Sequence, residues 1–324
     1  MAPVILAVTE VADGALTRLS TELATLARQL AEQAGGSAVG LVVDGAPDAA
    51  AAELAGYLPR VVAVTAPAVS NEVWAPHAAA EVRRLAGEGV THVLAGATAD
   101  GRDLAGTLVG LLGWGLLANA SGATWSGGSP EVEAIVLGAK EVTKSVLTGG
   151  TGIVTVRPNA ITAAPAGASG SVEPRTADGA ATPAAAVLER VAEAGAEASL
   201  EEARIVVVGG RGVGSPEGFA IVEDLAATLG GVVGATRASV DAGWIAYSRQ
   251  IGQTGKVVKP SLYLGLGVSG AMQHRVGMQA AEAIVAVNRD PDAPIAEVAD
   301  LFVIGDLFEV GPALLAELRA RRGG

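Results

Sequence analysis

The chain has 324 residues, which favours two domains of α/β size over one compact core. Its 22 basic and 34 acidic residues give a net charge of −12, which disfavours nucleic acid and anionic lipid surfaces as partners. It contains no cysteine, which excludes disulfides, thiolate metal ligands and cysteine nucleophiles and favours a cytoplasmic location.

Short apolar runs alternate with amphipathic stretches through the first half of the chain. Such runs between helices are typical of a parallel sheet covered on both faces, so we predict a parallel-sheet βα sandwich. The predicted elements are a strand at Val4–Val8, a helix over Leu16–Leu30 that ends at Gly35-Gly36, a strand at Val39–Val43, a strand at Val61–Val64, a helix around Ala78–Leu85 and a strand at Val90–Leu94.

One uncharged stretch, Leu104–Pro130, could be mistaken for a membrane segment. Gly106, Gly110, Gly113 and Gly115 interrupt its apolar first half, and its polar second half leaves too few apolar residues to cross about 30 Å of hydrocarbon. We therefore expect a buried helix packed on a sheet and no transmembrane segment.

A second domain follows a connector. Residues 159–200 are rich in Ala, Pro, Gly and Ser, and three prolines exclude a long helix or a central strand there. The predicted domains are therefore residues 1–200, including this connector, and residues 201–324. Strands of another parallel α/β sheet are expected at Arg204–Val208, Val232–Ala235, Leu262–Val268, Ala283–Val287 and Leu301–Ile304.

The first of these strands runs into a glycine-rich turn, Gly209–Gly214, that precedes a helix. Such a turn can hold a phosphate on bare backbone N–H groups at the positive end of a helix dipole. The spacing of the glycines at 212, 214 and 218 differs from the dinucleotide motif, so a simple tight turn is an equal alternative.

Polar residues follow all five predicted strands of the second domain. They are Arg211, Arg237, Ser269 with His274, Asn288 and Asp306. Because ligands of parallel sheets bind at the carboxyl ends of the strands, we predict a binding site there; the alternative is that these residues serve as helix caps and turns. Arg237 stands where a nicotinamide-binding unit normally has an acid, which disfavours NAD.

Three other site types find little support. Gln250–Val257 resembles a phosphate loop but has Gln250 in place of the first glycine, and Gly267–Ala271 lacks the second glycine of a hydrolase elbow. The three histidines have no ligand spacing, which disfavours a zinc or iron site.

Several ordered blocks within residues 204–310 closely resemble the α subunit of electron transfer flavoproteins. They are Val240–Trp244, Gln250–Lys256, Gly267–His274, Ile284–Ile295 and Gly305–Phe308, with weaker similarity at Ala97-Thr98 and Thr155–Pro158. The resemblance implies a Rossmann-like, DHS-like domain that binds FAD, and a heterodimer in which the first domain packs on a β subunit. Two departures are Ala246, where a proline is common, and Pro158, where glycine is common; the roles of the neighbouring Tyr247 and Arg249 stay open.

Carried over by position, the resemblance assigns the pyrophosphate to Arg211, Ser269 and Gly270, and the adenosine end to Asn288 and Asp306. It places Arg237, Gln253, Thr254 and His274 around the isoalloxazine ring, with the Thr254 hydroxyl near N5 and His274 at the C2 carbonyl. The remaining implied contacts are Thr236, Ile251, Gly252, Gln273 and Leu307. The cationic and donor groups would favour an anionic semiquinone and one-electron transfer.

The resemblance implies an electron carrier rather than a substrate-transforming enzyme. It would accept electrons from flavoprotein dehydrogenases, such as the acyl-CoA dehydrogenases of fatty acid β-oxidation, and pass them to a membrane quinone oxidoreductase. One alternative is an electron-bifurcating relative that uses NADH and a second FAD. Others are a stand-alone nicotinamide-dependent dehydrogenase and a binding module without redox function.

Overall fold

The structure is a computed structural model that describes residues 2–136, 141–177, 185–189, 200–201 and 203–322. The chain forms two compact units, an N-terminal unit of residues 1–191 and a C-terminal unit of residues 192–324. Each unit is built on a parallel sheet flanked by helices, which confirms the predicted α/β class. Residues 178–184 and 190–199 of the predicted connector lie outside the described residues.

The elements of the N-terminal unit alternate as the sequence predicts over its first hundred residues. Its strands are β1 (Val4–Thr9), β2 (Val11–Ala12), β3 (Ala15–Leu16), β4 (Ser37–Asp44), β5 (Arg60–Thr65), β6 (His92–Gly96), β7 (Gly115–Ala120), β8 (Gly122–Ser126), β9 (Ser129–Val136), β10 (Glu141–Val146), β11 (Gly152–Val156) and β12 (Ser171–Thr176). Its α-helices are α1 (Arg18–Ala34), α2 (Asp48–Leu54), α3 (Trp74–Gly87) and α4 (Ala99–Leu112).

Seven of these strands form one parallel sheet in the order β12-β5-β4-β1-β6-β11-β7. Successive residues of β1 face opposite sides, since Ile5 packs with α1 and α2 whereas Leu6 packs with α3 and α4. Both faces are therefore buried, which explains why the strands read as continuous apolar runs. Helix α1 begins after Thr17, whose hydroxyl accepts from the Ser20 N–H, and ends at Gly35 in the left-handed conformation.

The N-terminal unit departs from the prediction after α4. The uncharged stretch is helical only to Leu112, because Gly113 is left-handed with φ 65° and ends the helix. Strands β7 and β8 follow, and β8, β9 and β10 form an antiparallel sheet in the order β10-β9-β8 that the sequence analysis did not predict. In the predicted connector, β12 adds to the edge of the large sheet, where Pro174 does not interrupt a central ladder.

The C-terminal unit contains a five-stranded parallel sheet. Its strands are β13 (Ile205–Gly209), β14 (Val232–Ala235), β15 (Leu262–Leu266), β16 (Ile284–Asn288) and β17 (Leu301–Ile304), and its α-helices are α5 (Ala220–Leu229), α6 (Arg237–Asp241), α7 (Met272–Arg275) and α8 (Leu307–Arg322). The order is β14-β13-β15-β16-β17, so the chain moves outward from β13 to β14 and then to the other side of β13. This reversal creates a topological switch point between β13 and β15, where ligands of open parallel sheets bind.

Among the residues that the structure describes, no helix is both long enough and apolar enough to cross a lipid bilayer.

Candidate functional site

The glycine-rich turn after β13 meets the loop after β15 at the switch point. The Gly210 N–H donates to the Leu266 carbonyl at 2.9 Å, and the Gly212 N–H donates to the Gly267 carbonyl at 3.0 Å. A Cβ at Gly210 would lie 2.3 Å from the Gly267 oxygen, so the two loops approach too closely for any side chain. The glycines thus serve close backbone approach, and between them Arg211 projects as an exposed cation.

A crevice of about 80 Å³ opens between these loops and the ends of the next two strands. It is lined by Gly212, Gly267, Val287, Asn288, Arg289, Gly305 and Leu307. We call the group formed by Arg211, Gly212, Gly267, Ser269 and Asn288 the crevice cluster. Three of its lining residues are glycines, which lets a ligand approach the main chain closely.

Two predicted site residues in this region already have partners in the fold. The Asn288 amide donates to the Val268 carbonyl at 2.8 Å, and its oxygen accepts from the Asp290 N–H at 3.1 Å. Asp306 accepts from the Phe308 N–H at 2.9 Å at the start of α8 and pairs with Arg289. The hydrogen bond from the Phe308 N–H is the largest cause that lowers the pKa of Asp306, and the hydrogen bond from Arg289 is the next. Capping and turn roles therefore account for these contacts, and binding to adenosine stays a prediction for both residues.

Ser269 and Gly270 complete the turn after β15. Ser269 is exposed, and its carbonyl accepts from the Ile295 N–H at 3.0 Å. Gly270 has φ 77°, and a Cβ there would lie 2.4 Å from the Ile295 nitrogen. Only glycine fits at position 270, and the exposed Ser269 side chain lies two residues after Gly267, which lines the crevice.

A second group of predicted residues gathers around the loop of residues 250–256. The Ile251 N–H donates to the Ala235 carbonyl at the end of β14, at 2.9 Å, and the Gln253 N–H donates to the Gln273 carbonyl at 2.8 Å. We call Arg237, Gln253, Thr254, Gln273 and His274 the loop cluster. All but His274 are exposed, so the loop joins the ends of β14 and β15 and presents polar groups to solvent.

The three remaining predicted residues contribute mainly through the backbone. Gly252 has φ 139°, and a Cβ there would lie 2.8 Å from the Gln273 oxygen. The Ile251 side chain is buried in the core of the unit. Thr236 is also buried and donates its N–H to the Gly209 carbonyl at 3.1 Å, which ties the start of the loop cluster to the end of β13.

Arg237 is the first residue of α6 and its side chain is 68% exposed. Its Nε donates to Asp241, one helical turn later, at 3.1 Å. An exposed ion pair of this kind contributes little to folding stability. The cation is therefore available to an anionic or electron-rich ligand.

His274 is buried, and both of its ring nitrogens have protein partners. Nδ1 lies 3.0 Å from the Ile251 carbonyl, which can only accept, so Nδ1 carries the proton. Burial lowers the pKa of His274 to about 4, and the neutral ring then accepts at Nε2 from the Tyr263 hydroxyl at 2.8 Å. Donation from His274 to a flavin carbonyl, as the resemblance implies, would require a change in these bonds and stays a prediction.

Sequence reasoning missed three residues that shape the loop cluster. Tyr263 lies fully buried in β15 beneath His274, and a lone tyrosine in an aliphatic strand could have signalled it. Gln250 donates to the Thr254 hydroxyl at 3.0 Å, and the Tyr247 hydroxyl donates to the Thr254 carbonyl at 2.7 Å. Gln250 lies within a block that carries the resemblance and Tyr247 lies just before it, but the sequence assigns neither side chain to Thr254.

The two clusters together form a site with separate ends. The crevice cluster offers the Ser269 hydroxyl and the exposed Arg211 cation, which suit a pyrophosphate, whereas the Gly210 and Gly212 N–H groups already donate to the loop after β15. The loop cluster offers the Arg237 cation and the Thr254 hydroxyl at an open surface, which suit a flat polar ring. The residues present therefore fit a flavin dinucleotide.

Comparison with known proteins gives two family matches that together cover most of the chain. The model described as the electron transfer flavoprotein domain matches residues 5–182, and the model described as the electron transfer flavoprotein FAD-binding domain matches residues 199–279.

Full-length relatives carry the same description. The electron transfer flavoprotein subunit alpha of Mycobacterium tuberculosis (strain CDC 1551 / Oshkosh) is 44% identical over 98% of this chain and 99% of the relative. The subunits of the same name from Paracoccus denitrificans and Bacillus subtilis (strain 168) are 39% and 36% identical, over 95% and 96% of this chain and 98% and 95% of those proteins.

Proposed function

Because the chain belongs to the electron transfer flavoprotein α-subunit family, whose C-terminal domain binds FAD, we propose that it is a one-electron carrier between other flavoproteins. It would take electrons from flavoprotein dehydrogenases, such as acyl-CoA dehydrogenases, and deliver them to a membrane quinone oxidoreductase. The observation that supports this proposal most is the loop cluster. It pairs an exposed cation with an exposed hydroxyl but offers no acid or base positioned on a substrate pocket, among the residues described.

We assign the two ends of FAD to the two clusters. Arg211, Ser269 and Gly270 would hold the pyrophosphate, with Asn288, Asp306 and Leu307 at the adenosine end. Arg237, Gln253, Thr254, Gln273 and His274 would surround the ring, and Thr236, Ile251 and Gly252 would support it through the backbone. The exposed Arg211 cation beside the crevice and the order of the clusters along the sheet support this direction.

The redox chemistry comes from FAD, which can accept and release electrons singly. The chain contributes the electrostatic environment of the ring. The Arg237 guanidinium would stabilise added negative charge, and its exposure leaves it free to contact the ring face. The Thr254 hydroxyl would donate a hydrogen bond to the ring edge.

The N-terminal unit would bind the β subunit through the exposed face of its antiparallel sheet. Val142 is 61% exposed and lies opposite Ile135, which is 38% exposed, and Val146 farther along β10 is 50% exposed. An exposed apolar stripe of this kind is typical of a protein interface. Lys144 lies between Val142 and Val146 on the same face of β10 and pairs with Glu131 and Glu133, so the face combines apolar positions with a charged centre.

Co-expression with the β subunit tests the partner assignment. We expect Val142→Asp to abolish co-purification, because it places a negative charge at the most exposed apolar position of this face, opposite Ile135, whereas Arg321→Asp on the exposed end of α8 serves as the control. Undiminished co-purification of the Val142→Asp chain would show that the β subunit binds elsewhere.

The purified complex tests the function itself. We expect it to be yellow, with one FAD and one AMP per heterodimer, and to be reduced by a reduced acyl-CoA dehydrogenase. Two FAD per heterodimer with direct reduction by NADH would establish the bifurcating alternative. A colourless complex would refute the proposal. We place this exchange in the cytoplasm, where a cysteine-free chain is common.

A further inference from the structure

Thr254 is held by two side chains from outside the predicted site. The Gln250 Nε2 donates to the Thr254 hydroxyl oxygen at 3.0 Å, and the Tyr247 hydroxyl donates to the Thr254 carbonyl at 2.7 Å. Gln250 is buried at 2% exposure, whereas Tyr247 is 68% exposed. One contact therefore comes from the interior of the protein and the other from its surface.

The loop is closed tightly enough to fix the position of Gln250. The Lys256 N–H donates to the Gln250 carbonyl at 2.7 Å, and the Gly252 N–H donates to the Lys256 carbonyl at 3.0 Å. A Cβ at Gly255 would lie 2.3 Å from the Gln250 oxygen, so glycine is required where the loop folds over this residue. The Gln250 amide is consequently held on the interior side of the Thr254 hydroxyl.

The direction of the hydrogen bond from Gln250 determines where the Thr254 proton can point. An amide nitrogen donates and cannot accept, so the Thr254 oxygen is the acceptor in this pair. A hydroxyl has a single proton and two lone pairs, so its proton remains available for a different acceptor. Because Thr254 is exposed, that acceptor lies on the open side of the loop.

We propose that Gln250 and Tyr247 are positioning residues that make the Thr254 hydroxyl a hydrogen-bond donor to the bound flavin. The inference rests on the proposed function, which brings the flavin ring to Thr254. Gln250 sets the direction of the hydroxyl proton, and Tyr247 fixes the main chain that carries it. Both residues act through Thr254.

Two substitutions separate these effects from folding. Tyr247→Phe removes one hydroxyl and keeps the exposed ring, and Tyr57→Phe in the N-terminal unit is the matched control. Gln250→Glu keeps the size of the side chain but, once ionised, can only accept, so it would draw the Thr254 proton inward and away from the ring. Thr254→Val removes the hydroxyl altogether and therefore gives the largest change in the FAD potentials that loss of this donor can cause.

The readouts are the two one-electron midpoint potentials of FAD in the heterodimer, measured as a function of pH. Loss of a donor at the ring edge should lower the first potential relative to the second, by the equivalent of about five-fold in an equilibrium constant, the size expected for one hydrogen bond. Gln250→Glu should match Thr254→Val at high pH and return toward the parent as the carboxyl is protonated at low pH. Tyr247→Phe should give a smaller shift without pH dependence.

Parent potentials in both Tyr247→Phe and Gln250→Glu, together with a shift in Thr254→Val, would overturn the inference and leave the proposed function intact. Parent potentials in Thr254→Val would overturn the placement of the ring at Thr254 and the inference with it. Loss of FAD from the parent complex would refute the proposed function itself.

Discussion

The two units use the same parallel α/β architecture but treat the carboxyl ends of their strands differently. In the C-terminal unit, Arg211, Arg237 and Thr254 are exposed at or beside the strand ends. In the N-terminal unit, the polar groups that follow β1 and β6 form hydrogen bonds within the protein. The Thr98 hydroxyl donates to the Glu10 carboxylate at 2.6 Å, and the Ser20 hydroxyl donates to the Glu10 carbonyl at 2.9 Å. The comparison teaches that the residues after the strands, and not the sheet, decide which unit can bind a ligand.

The two units also differ in how they satisfy a buried histidine. His274 has partners at both ring nitrogens, whereas His92 in β6 has the Thr91 hydroxyl at 3.0 Å from Nδ1 and no described partner at Nε2. Burial lowers the pKa of each to about 4 from 6.5. The unfolded chain therefore binds protons at a higher pH than the folded chain, and stability present above pH 6.5 is lost as the pH falls toward 4.

The largest expected effect uses this pair. Each histidine should cost its unit up to about 3 kcal/mol between pH 6.5 and 4. His274→Phe should destabilise the C-terminal unit by about 1–3 kcal/mol at pH 7.5, because the Tyr263 hydroxyl and the Ile251 carbonyl lose a partner. His92→Phe should be close to neutral at pH 7.5, since it removes an unpaired nitrogen.

Hydrogen exchange resolved for each unit, at pH 7.5 and pH 5, measures these differences. In both variants the acid sensitivity of the altered unit should diminish. Equal costs for the two substitutions at pH 7.5 would show that the difference in hydrogen bonding between the two histidines has no energetic consequence.

A second effect, of similar size for stability, tests the close approach of the loops in the C-terminal unit. Gly210→Ala should destabilise that unit by about 1–3 kcal/mol and abolish FAD binding, because its Cβ would lie 2.3 Å from the Gly267 oxygen. Gly106→Ala in α4 is the control, since a Cβ there has nothing within 4 Å and alanine favours a helix. Full retention of FAD by Gly210→Ala, measured by absorbance after gel filtration, would contradict the crevice as the phosphate site.

The third effect separates charge from stability. Arg237→Ala should change the free energy of unfolding by less than about 1 kcal/mol, since its ion pair with Asp241 is exposed. It should nevertheless lower the first one-electron potential of bound FAD, because a cation beside the ring is lost. Arg84→Ala in the N-terminal unit, which removes a similar pair with Glu88, should leave the potential unchanged. If both variants have the parent potential, Arg237 does not contact the ring.

The fold was predicted best from the sequence where strands are short continuous apolar runs. The strands at Val232–Ala235 and Leu301–Ile304 have the predicted bounds, and the five strand ends share one edge because parallel strands leave no other arrangement. The antiparallel sheet was missed because β9 and β10 carry charged residues on exposed faces and lack continuous apolar runs. A short period-2 pattern between an apolar helix and a polar loop gives a weak signal.

Within the site, position along the chain could be predicted but hydrogen-bond partners could not. The resemblance assigns Thr254 and His274 to the flavin ring, which stays a prediction, whereas the contacts of Thr254 with Gln250 and Tyr247 depend on how the 250–256 loop closes. His274 lies in α7, and its partner Tyr263 lies in β15, eleven residues earlier. Such contacts are set by tertiary packing, which no local pattern encodes.

The smallest effect concerns Glu10, which accepts hydrogen bonds from Thr98 and Ser20 at the strand ends of the N-terminal unit. Burial raises the pKa of Glu10, against a lowering by the Thr98 hydroxyl, so the folded unit binds a proton more readily than the unfolded chain. Its contribution to stability is therefore present at low pH and is lost as the pH rises through the raised pKa. Glu10→Gln keeps an acceptor for Thr98 without the charge, and should stabilise the N-terminal unit by less than about 1 kcal/mol at pH 7.5 and leave it unchanged near pH 4. Glu53→Gln on the exposed side of α2 controls for the loss of a charge. If urea unfolding instead shows a destabilised N-terminal unit in Glu10→Gln, the contact between Thr98 and Glu10 requires the ionised carboxylate. The charge of Glu10 would then stabilise the strand ends of this unit.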